Sequence, residues 1–265
     1  MNLLDMLVLA VVQGATEFLP VSSSGHLVLA NALLGVHEPG ITTEIVLHLG
    51  TLVAVVFYFR KDLLRLLTGI VRWIGGRRGD EERSAGRLFW LLVLGTIPAV
   101  IAGVLLGDWL EGMFEDPRDT AIQILITAAI LFSTLLVRRG VRRIDSLRSI
   151  LIGIGQAIAI VPGISRSGTT IATALYLKVE PREAARFSFL LSIPAILGAA
   201  VFEAPKMAHE IHTAGAGLLA IGFVVSMVVG WLSIAALLRI VQEGKFGWFG
   251  IWCVVVGIAG LLLLR

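Results

Sequence analysis

The sequence predicts an all-α polytopic membrane protein with six transmembrane helices and two re-entrant helix hairpins arranged as an inverted repeat. Of the 265 residues, 57% are hydrophobic and only 15% are charged, whereas soluble domains have about 25% charged residues. The apolar residues form long runs, and the basic residues collect in a few loops between them. This composition excludes a soluble enzyme and a disordered protein, and the clustered charges argue against a nucleic-acid partner.

Gly, Pro and charge clusters divide the chain into ten apolar segments. Six of them are long enough to cross a bilayer, alone or with tilt. These six are 44–59, 88–106, 121–137, 187–204, 215–239 and 247–264. The other four form two pairs, which are 2–19 with 27–35 and 149–162 with 168–177.

A break rich in Pro, Ser and Gly separates the two members of each pair, at 19–25 and at 161–168. The second member of each pair is too short to span a bilayer. Unpaired backbone is tolerated at membrane depth only inside protein or beside a water-filled cavity. We therefore interpret each pair as a re-entrant hairpin in a single membrane domain.

The two breaks resemble each other in sequence. Aligning residues 22–25 with 165–168 also pairs Gln13 with Gln156, each nine residues before the aligned position. Each half of the chain then contains one hairpin and three spans, and an odd number of spans inverts the second copy. The predicted halves are approximately 1–140 and 141–265.

The positions of the Lys and Arg residues indicate the orientation. Eighteen of the 22 lie in the loops 60–87, 138–148, 178–186 and 239–247, and three lie on the opposite face. Basic loops remain on the cytoplasmic side of a membrane. We therefore expect a multi-pass protein of the plasma membrane with both termini outside, and hairpin tips that meet near the middle of the bilayer.

One basic residue, Arg166, belongs to neither face because it lies at the tip of the second hairpin. A cation at that depth costs about 2.5–3.5 kcal/mol on insertion scales, so it needs an anionic partner. One interpretation is a structural ion pair with an acid of the first hairpin. The other is a binding site for an anionic ligand.

The first hairpin concentrates polar side chains at its own break. Gln13 and Glu17 share one helix face, Ser22–Ser24 can cap the next helix, and His26 lies in its first turn. Each has a structural alternative, as ion-pair partner, helix cap or satisfied buried histidine. So many polar groups at one break of an apolar chain favour a functional site.

Both short helices present their N-termini to the point where the hairpins meet. Free N–H groups and partial positive charge at a helix N-terminus suit phosphate, and Arg166 adds a charged donor. A lipid chain would lie between the helices, so the sequence predicts a lipid-phosphate site. Its predicted phosphate-binding residues are Ser22, Ser24, Ser165, Arg166, Ser167 and Gly168.

The stretches 13–26 (QGATEFLPVSSSGH) and 162–168 (PGISRSG) resemble the undecaprenyl-diphosphate phosphatase family, the bacitracin-resistance type of integral membrane phosphatase. The run 187–194 (FSFLLSIP) is similar to that family too. The resemblance implies hydrolysis of undecaprenyl diphosphate to undecaprenyl phosphate and inorganic phosphate, which recycles the lipid carrier for peptidoglycan and other cell-wall polymers. It also implies a divalent cation (Mg²⁺ or Ca²⁺), a homodimer among the membrane lipids, and an active site open to the outer face.

The chain departs from this family at Gln13, because the family's acidic motif is often Glu-xxx-Glu. A neutral amide can bind a metal or phosphate but cannot act as a base at neutral pH. We expect Glu17, with Gln13, to hold the cation between phosphate oxygens. Glu44 and His48, in the first predicted span, either support the site or only pack helices.

Ser23 is the expected nucleophile, with His26 as general base and then acid, and Glu17 and Arg166 complete the expected catalytic set. In a rival scheme, His26 activates water or attacks directly. The alternative function is a transporter or flippase of a lipid phosphate or small anion that uses the same mid-membrane cradle, because broken helices in inverted repeats are also typical of transporters.

Overall fold

The structure, a computed structural model, describes residues 1–36, 41–77, 79–112, 116–210 and 215–263, without the side chains of 41, 107–112 and 206–210. Within these ranges it contains α-helices and two short 3-10 turns, and no β-strand is present. The all-α prediction is confirmed. The helices are α1 Leu3–Phe18, α2 Ser23–Leu34, α3 Ile41–Tyr58, α4 Arg60–Ile74, α5 Asp80–Gly112, α6 Pro117–Ser133, α7 Ser146–Ile158, α8 Arg166–Tyr176, α9 Pro181–Glu210, α10 Ala216–Gln242 and α11 Phe249–Leu263.

Five stretches are long and apolar enough to cross a membrane. A further candidate is α3 with α4: the two helices pass the same test only when they are taken together, and they are bent by 74° at the break between them. The polytopic prediction, with up to six spans, is therefore confirmed. The five continuous stretches are Asp80–Leu106, Pro117–Leu136, Pro181–Pro205, Ala216–Gln242 and Phe246–Leu263.

Most of the segment 60–87, expected to be a loop, is helical. It contains α4 and the beginning of α5. Apolar residues of α4 recur every three or four positions, at Leu64, Leu67 and Val71, which is the period of an amphipathic helix. The many basic residues of this segment hid that period from the loop interpretation.

Both predicted helix breaks are present, and a serine caps each short helix. The Ser22 Oγ accepts the Gly25 N–H at 3.3 Å at the start of α2, and the Ser165 Oγ accepts the Gly168 N–H at 3.0 Å at the start of α8. Ser22 has φ +71°, a left-handed conformation that costs a non-glycine residue of order 1–3 kcal/mol. Such strain persists only where the surrounding structure imposes it.

The two breaks contact each other, as predicted for the hairpin tips. The Ser167 Oγ donates to the Leu19 carbonyl oxygen at 3.0 Å, which connects α8 to the first break. A Cβ atom on Gly25 would lie 3.1 Å from the Gly163 Cα, a tighter contact than usual, so glycine favours this close approach. Buried apolar side chains surround the contact, and Phe18 and Phe189 meet edge to face with ring centroids 5.6 Å apart.

The helix pairing is reciprocal between the two halves of the chain. Helix α1 packs against α10 and α7 packs against α5, while α3 contacts α9 and α6 contacts α11. Glycines allow the first two contacts, because a Cβ on Gly14 would lie 2.7 Å from Val229 Cβ and one on Gly153 would lie 2.4 Å from Gly95 O. The inverted repeat of 1–140 and 141–265 stays a prediction, and this pairing is the kind that it requires.

Candidate active site

An ion pair joins the two breaks. Arg166, the first residue of α8, donates from Nη2 to Glu17 Oε1 at 2.5 Å. The two side chains are only 15% and 5% exposed, so neither charge is well solvated and each depends on the other. This agrees with the structural interpretation of Arg166. The Arg166 Nη1 is nevertheless buried without a hydrogen-bond partner among the described residues, so one donor of the guanidinium is left unsatisfied.

The second oxygen of the Glu17 carboxylate accepts two further hydrogen bonds. Gln13 Nε2 donates to Oε2 at 2.9 Å, and the Ser23 hydroxyl donates to the same atom at 2.7 Å. A hydroxyl that donates to a carboxylate at this distance is placed for proton transfer to it. The pair has the geometry of a nucleophile with its general base.

His26 is directed away from Ser23. Its Nδ1 lies 2.8 Å from the Ser22 carbonyl oxygen, and its Nε2 lies 2.9 Å from Trp252 Nε1. A carbonyl only accepts and an indole N–H only donates, so His26 carries its proton on Nδ1 and uses its Nε2 lone pair for Trp252. The described contacts therefore contain no Ser23–His26 hydrogen bond, and His26 instead connects α2 to α11.

Glu17, Ser23 and Arg166 line a cavity of about 680 Å³. Ser22, Ser24 and Ser165 line it too, whereas Ser167 and Gly168 are absent from its lining. Ser167 and Gly168 take part in the contact between breaks and in the cap of α8. The remaining wall is largely apolar and includes Leu27, Ile45 and Ile196. A charged group and hydroxyls beside apolar walls suit a lipid with a phosphate head group.

Gln13 and Glu17 do not form a preformed cation site. Gln13 is fully buried and points its amide nitrogen, a donor, at Glu17, while its Oε1 has no partner among the described residues. Both Glu17 oxygens already accept hydrogen bonds, whereas a hard cation needs free oxygen ligands. Across the part of the chain that the structure describes, no three His, Cys, Asp or Glu side chains converge in a metal-binding group.

Glu44 and His48 lie closer to the chemistry than their sequence context indicates. Both line the same cavity, and His48 Nε2 lies 3.6 Å from Glu17 Oε2. The His48 Nδ1 donates to the Glu44 carbonyl oxygen at 2.8 Å, as expected for residues one helical turn apart. Glu44 and His48 can be recognised in the sequence because they are ionisable residues one helical turn apart in an apolar span.

This fold and site define a class: polytopic α-helical membrane proteins in which two broken helices enclose a buried polar site. The chain belongs to the family described as Bacitracin resistance protein BacA, which residues 6–259 match. The match includes both breaks and every residue of the site described above. The family resemblance of the two motifs is thus confirmed.

Curated relatives match the chain along most of its length. A Methanosphaera stadtmanae protein named undecaprenyl-diphosphatase is 38% identical over 274 residues, which cover 99% of this chain and 98% of the relative. A Desulforudis audaxviator protein of the same name is 41% identical, with the same two coverages. A third, from Gloeobacter violaceus, is 42% identical over 91% of this chain and 84% of the relative.

Proposed function

We propose that this protein is an integral membrane phosphatase that hydrolyses undecaprenyl diphosphate to undecaprenyl phosphate and inorganic phosphate. Its family and the names of its relatives support this activity. The structural observation that carries the proposal is the 2.7 Å hydrogen bond from Ser23 to Glu17, next to Arg166, in a cavity with apolar walls. The product would return to the synthesis of cell-wall polymers.

In this proposal, Arg166 binds the terminal phosphate. Its Nη2 remains on Glu17 while the unpartnered Nη1 donates to a phosphate oxygen. Charge-assisted hydrogen bonds of this kind are the strongest that a side chain can offer a phosphate. The hydroxyls of Ser22, Ser24 and Ser165 supply further donors, and the prenyl chain contacts the apolar wall.

In the proposed reaction, Ser23 is the nucleophile. Glu17 takes the hydroxyl proton as Ser23 Oγ attacks the terminal phosphorus, and the bond from that phosphorus to the bridging oxygen breaks. Undecaprenyl phosphate leaves with the electron pair of that bond and takes the proton from Glu17, so that Ser23 is phosphorylated and Glu17 is again a carboxylate. Water then attacks the phosphoserine with Glu17 as base, which releases inorganic phosphate and returns the proton to Ser23. Catalysis depends mainly on positioning and on neutralising phosphate charge.

This scheme changes the role of His26 from base to positioning residue. The His26 hydrogen bond to the Ser22 carbonyl supports the strained residue that caps α2. Trapping phosphoserine at Ser23 during turnover tests the covalent scheme. A Ser23→Ala variant that folds and still hydrolyses at the wild-type rate would favour attack by water instead.

Phosphate release in detergent separates the enzyme from the transporter or flippase. Purified protein without a membrane gradient should release inorganic phosphate from a prenyl diphosphate. A pure transporter would not. Ser23→Ala should lower this rate by at least about 10²–10⁴-fold, the contribution of proton transfer alone, because the variant has no hydroxyl to be activated. Thermal unfolding of the variant is the control for its fold.

A divalent cation, Mg²⁺ or Ca²⁺, is also proposed, on the family resemblance. Because both Glu17 oxygens already accept hydrogen bonds, we propose that Glu44, a carboxylate of the same cavity, would hold the cation beside the substrate's phosphates. Such a cation neutralises charge on the diphosphate. Mn²⁺ binding, followed by paramagnetic resonance, should then require a diphosphate and should weaken in Glu44→Gln.

We also propose a plasma-membrane location and a site that opens outward, and the positions of the basic loops support this orientation. Cys253 is the single native cysteine, so both test variants are built on Cys253→Ser. An Arg139→Cys variant should react with a membrane-impermeant thiol reagent only after the membrane is opened. An Asn2→Cys variant should react with the same reagent in intact cells. The homodimer implied by the family resemblance is proposed as well. Cross-linking in native membranes tests it.

A further inference from the structure

A second cavity, of about 670 Å³, shares no lining residue with the candidate active site. We call it the basic cavity, because arginines from three helices and from the α6–α7 connection line it. These residues are Arg65, Arg87, Arg143, Arg182 and Arg186. The cavity lies at the end of the molecule that carries most of the Lys and Arg residues.

The acidic residues of the basic cavity are all engaged within the protein. Asp62 accepts a hydrogen bond from Arg186 at 2.6 Å, and Glu183 accepts the Ile144 N–H at 3.0 Å. Glu180 accepts the N–H groups of Arg182 and Glu183, at 3.1 Å and 2.9 Å, and so caps α9. All three carboxylates keep their negative charge, so the five arginines of the lining exceed its acidic residues by two positive charges.

The basic cavity therefore carries an excess of positive charge, and one ion pair joins two of its lining residues. Arg186 pairs with Asp62, and Arg87 donates to the Ile144 carbonyl oxygen at 2.8 Å. Among the described residues, the guanidinium groups of Arg65, Arg143 and Arg182 form no ion pair. Like charges gathered around one cavity repel each other unless an anion joins them, and guanidinium groups match phosphate oxygens in geometry.

An apolar groove of about 430 Å³ lies between α4, α5 and α9. Thr96 is the one polar residue in its lining, and the apolar lining includes Leu66, Phe89, Val100 and Ile193. Leu66 also lines a small cavity beside α4, and that cavity shares Asp62, Arg65 and Arg186 with the basic cavity. The apolar groove and the basic cavity therefore adjoin along α4.

Helix α4 has the properties of a helix that lies in the head-group region of a membrane. It is bent by 74° from α3, and Leu64, Leu67, Val71 and Ile74 are 59–74% exposed along one face. Basic amphipathic helices bind membranes with such a face in the acyl boundary. The basic cavity then lies at head-group level, and the groove extends from it along the spans α5 and α9.

We propose that the basic cavity and the apolar groove together bind one anionic phospholipid. Arg65, Arg143 and Arg182 hold its phosphate, and an acyl chain fills the groove. This site is separate from the candidate active site and does not depend on the proposed phosphatase activity. It would attach the protein to anionic lipid at the end of α4.

Native mass spectrometry of the detergent-purified protein, titrated with phosphatidylglycerol, tests the proposal. The triple variant Arg65→Gln, Arg143→Gln and Arg182→Gln should bind about a hundredfold more weakly, since each arginine contributes roughly a factor of five. A matched control removes the same charge from the α6–α7 connection outside the cavity lining, with Arg138, Arg139 and Arg142 changed to Gln. Equal weakening by both triple variants would mean diffuse attraction and would overturn the site.

The apolar groove is tested separately on α5. Val100→Trp fills the groove and should abolish saturable phosphatidylglycerol binding, whereas Val104→Trp, one turn further and outside the lining, should not. Phosphatidylcholine, undecaprenyl phosphate and inorganic phosphate complete the titration. Because undecaprenyl phosphate and inorganic phosphate also fit the proposed active site, only binding that the triple arginine variant weakens is assigned to the basic cavity. The proposal fails if any of the three ligands binds the basic cavity by that measure as well as phosphatidylglycerol does, or if Val100→Trp binds like the native protein.

Discussion

Replacing Glu17 by glutamine removes the negative charge of the buried pair while keeping the size of the side chain. Arg166 would then keep its position with no carboxylate, at 15% exposure and with Nη1 already unpartnered. Breaking a buried ion pair from one side costs about 3–5 kcal/mol, because the remaining charge is uncompensated. We expect the lower end of that range, because Arg166 borders a cavity that water can enter.

The same change removes the proposed base. The new amide of the Glu17→Gln variant can still accept the hydrogen bond of Ser23, but it cannot take the proton. Phosphate release should fall by about 10²–10⁴-fold, the usual range for a lost general base. Stability and activity are therefore both lowered, for two different reasons.

The two reasons separate in a double-mutant cycle measured by chemical unfolding in detergent and by phosphate release. Glu17→Gln combined with Arg166→Gln should regain much of the stability lost in either single variant, since no buried charge remains, yet stay inactive. If Glu17→Gln unfolds like the native protein, the ion-pair argument is wrong. If it hydrolyses the substrate at the native rate, Glu17 is not the base.

Three further predictions concern the surroundings of this pair. Gly25→Ala should unfold at a markedly lower temperature, because its Cβ would meet the opposite break at 3.1 Å. The control variant Gly217→Ala, whose Cβ would have no atom within 4 Å, should be neutral or stabilising. Equal melting temperatures of the two variants would contradict the close approach. Gln13→Glu should place a second carboxylate against Glu17, and titration with Mn²⁺ should then show tighter cation binding without diphosphate. Unchanged binding would show that Gln13 does not limit the affinity of the site for the cation. His26→Asn should lower the rate of phosphate release by about tenfold or less. A loss of about 10²–10⁴-fold, as large as that expected of Glu17→Gln, would instead identify His26 as the base.

The two helix breaks could be predicted because their causes are local. Pro20 and Pro162 cannot continue a helix hydrogen-bond ladder, and the serines that follow provide side-chain caps. The need of Arg166 for an anionic partner could be predicted as well, since composition alone makes the surroundings apolar. Helix α4 was missed because its charges obscured a local period that the sequence does contain.

The partners of Ser23 could not be predicted. His26 shares its helical turn, so sequence spacing favoured that pair. Glu17 belongs to another helix, and only the turn through Ser22 brings its carboxylate to 2.7 Å from the Ser23 hydroxyl. The His26 ring instead accepts a hydrogen bond from Trp252, which lies 226 positions further along the chain.

The sequence by itself determined that this protein is a helical membrane protein, that it has two breaks, and that Arg166 is a cation in need of an anionic partner. These follow from short-range backbone chemistry and from the cost of charge in an apolar medium, which depend on residue types alone. Only the tertiary structure decided that Glu17 contacts both Arg166 and Ser23, and that arginines from four segments surround a second cavity. Such contacts join distant residues, and their geometry depends on how the helices pack.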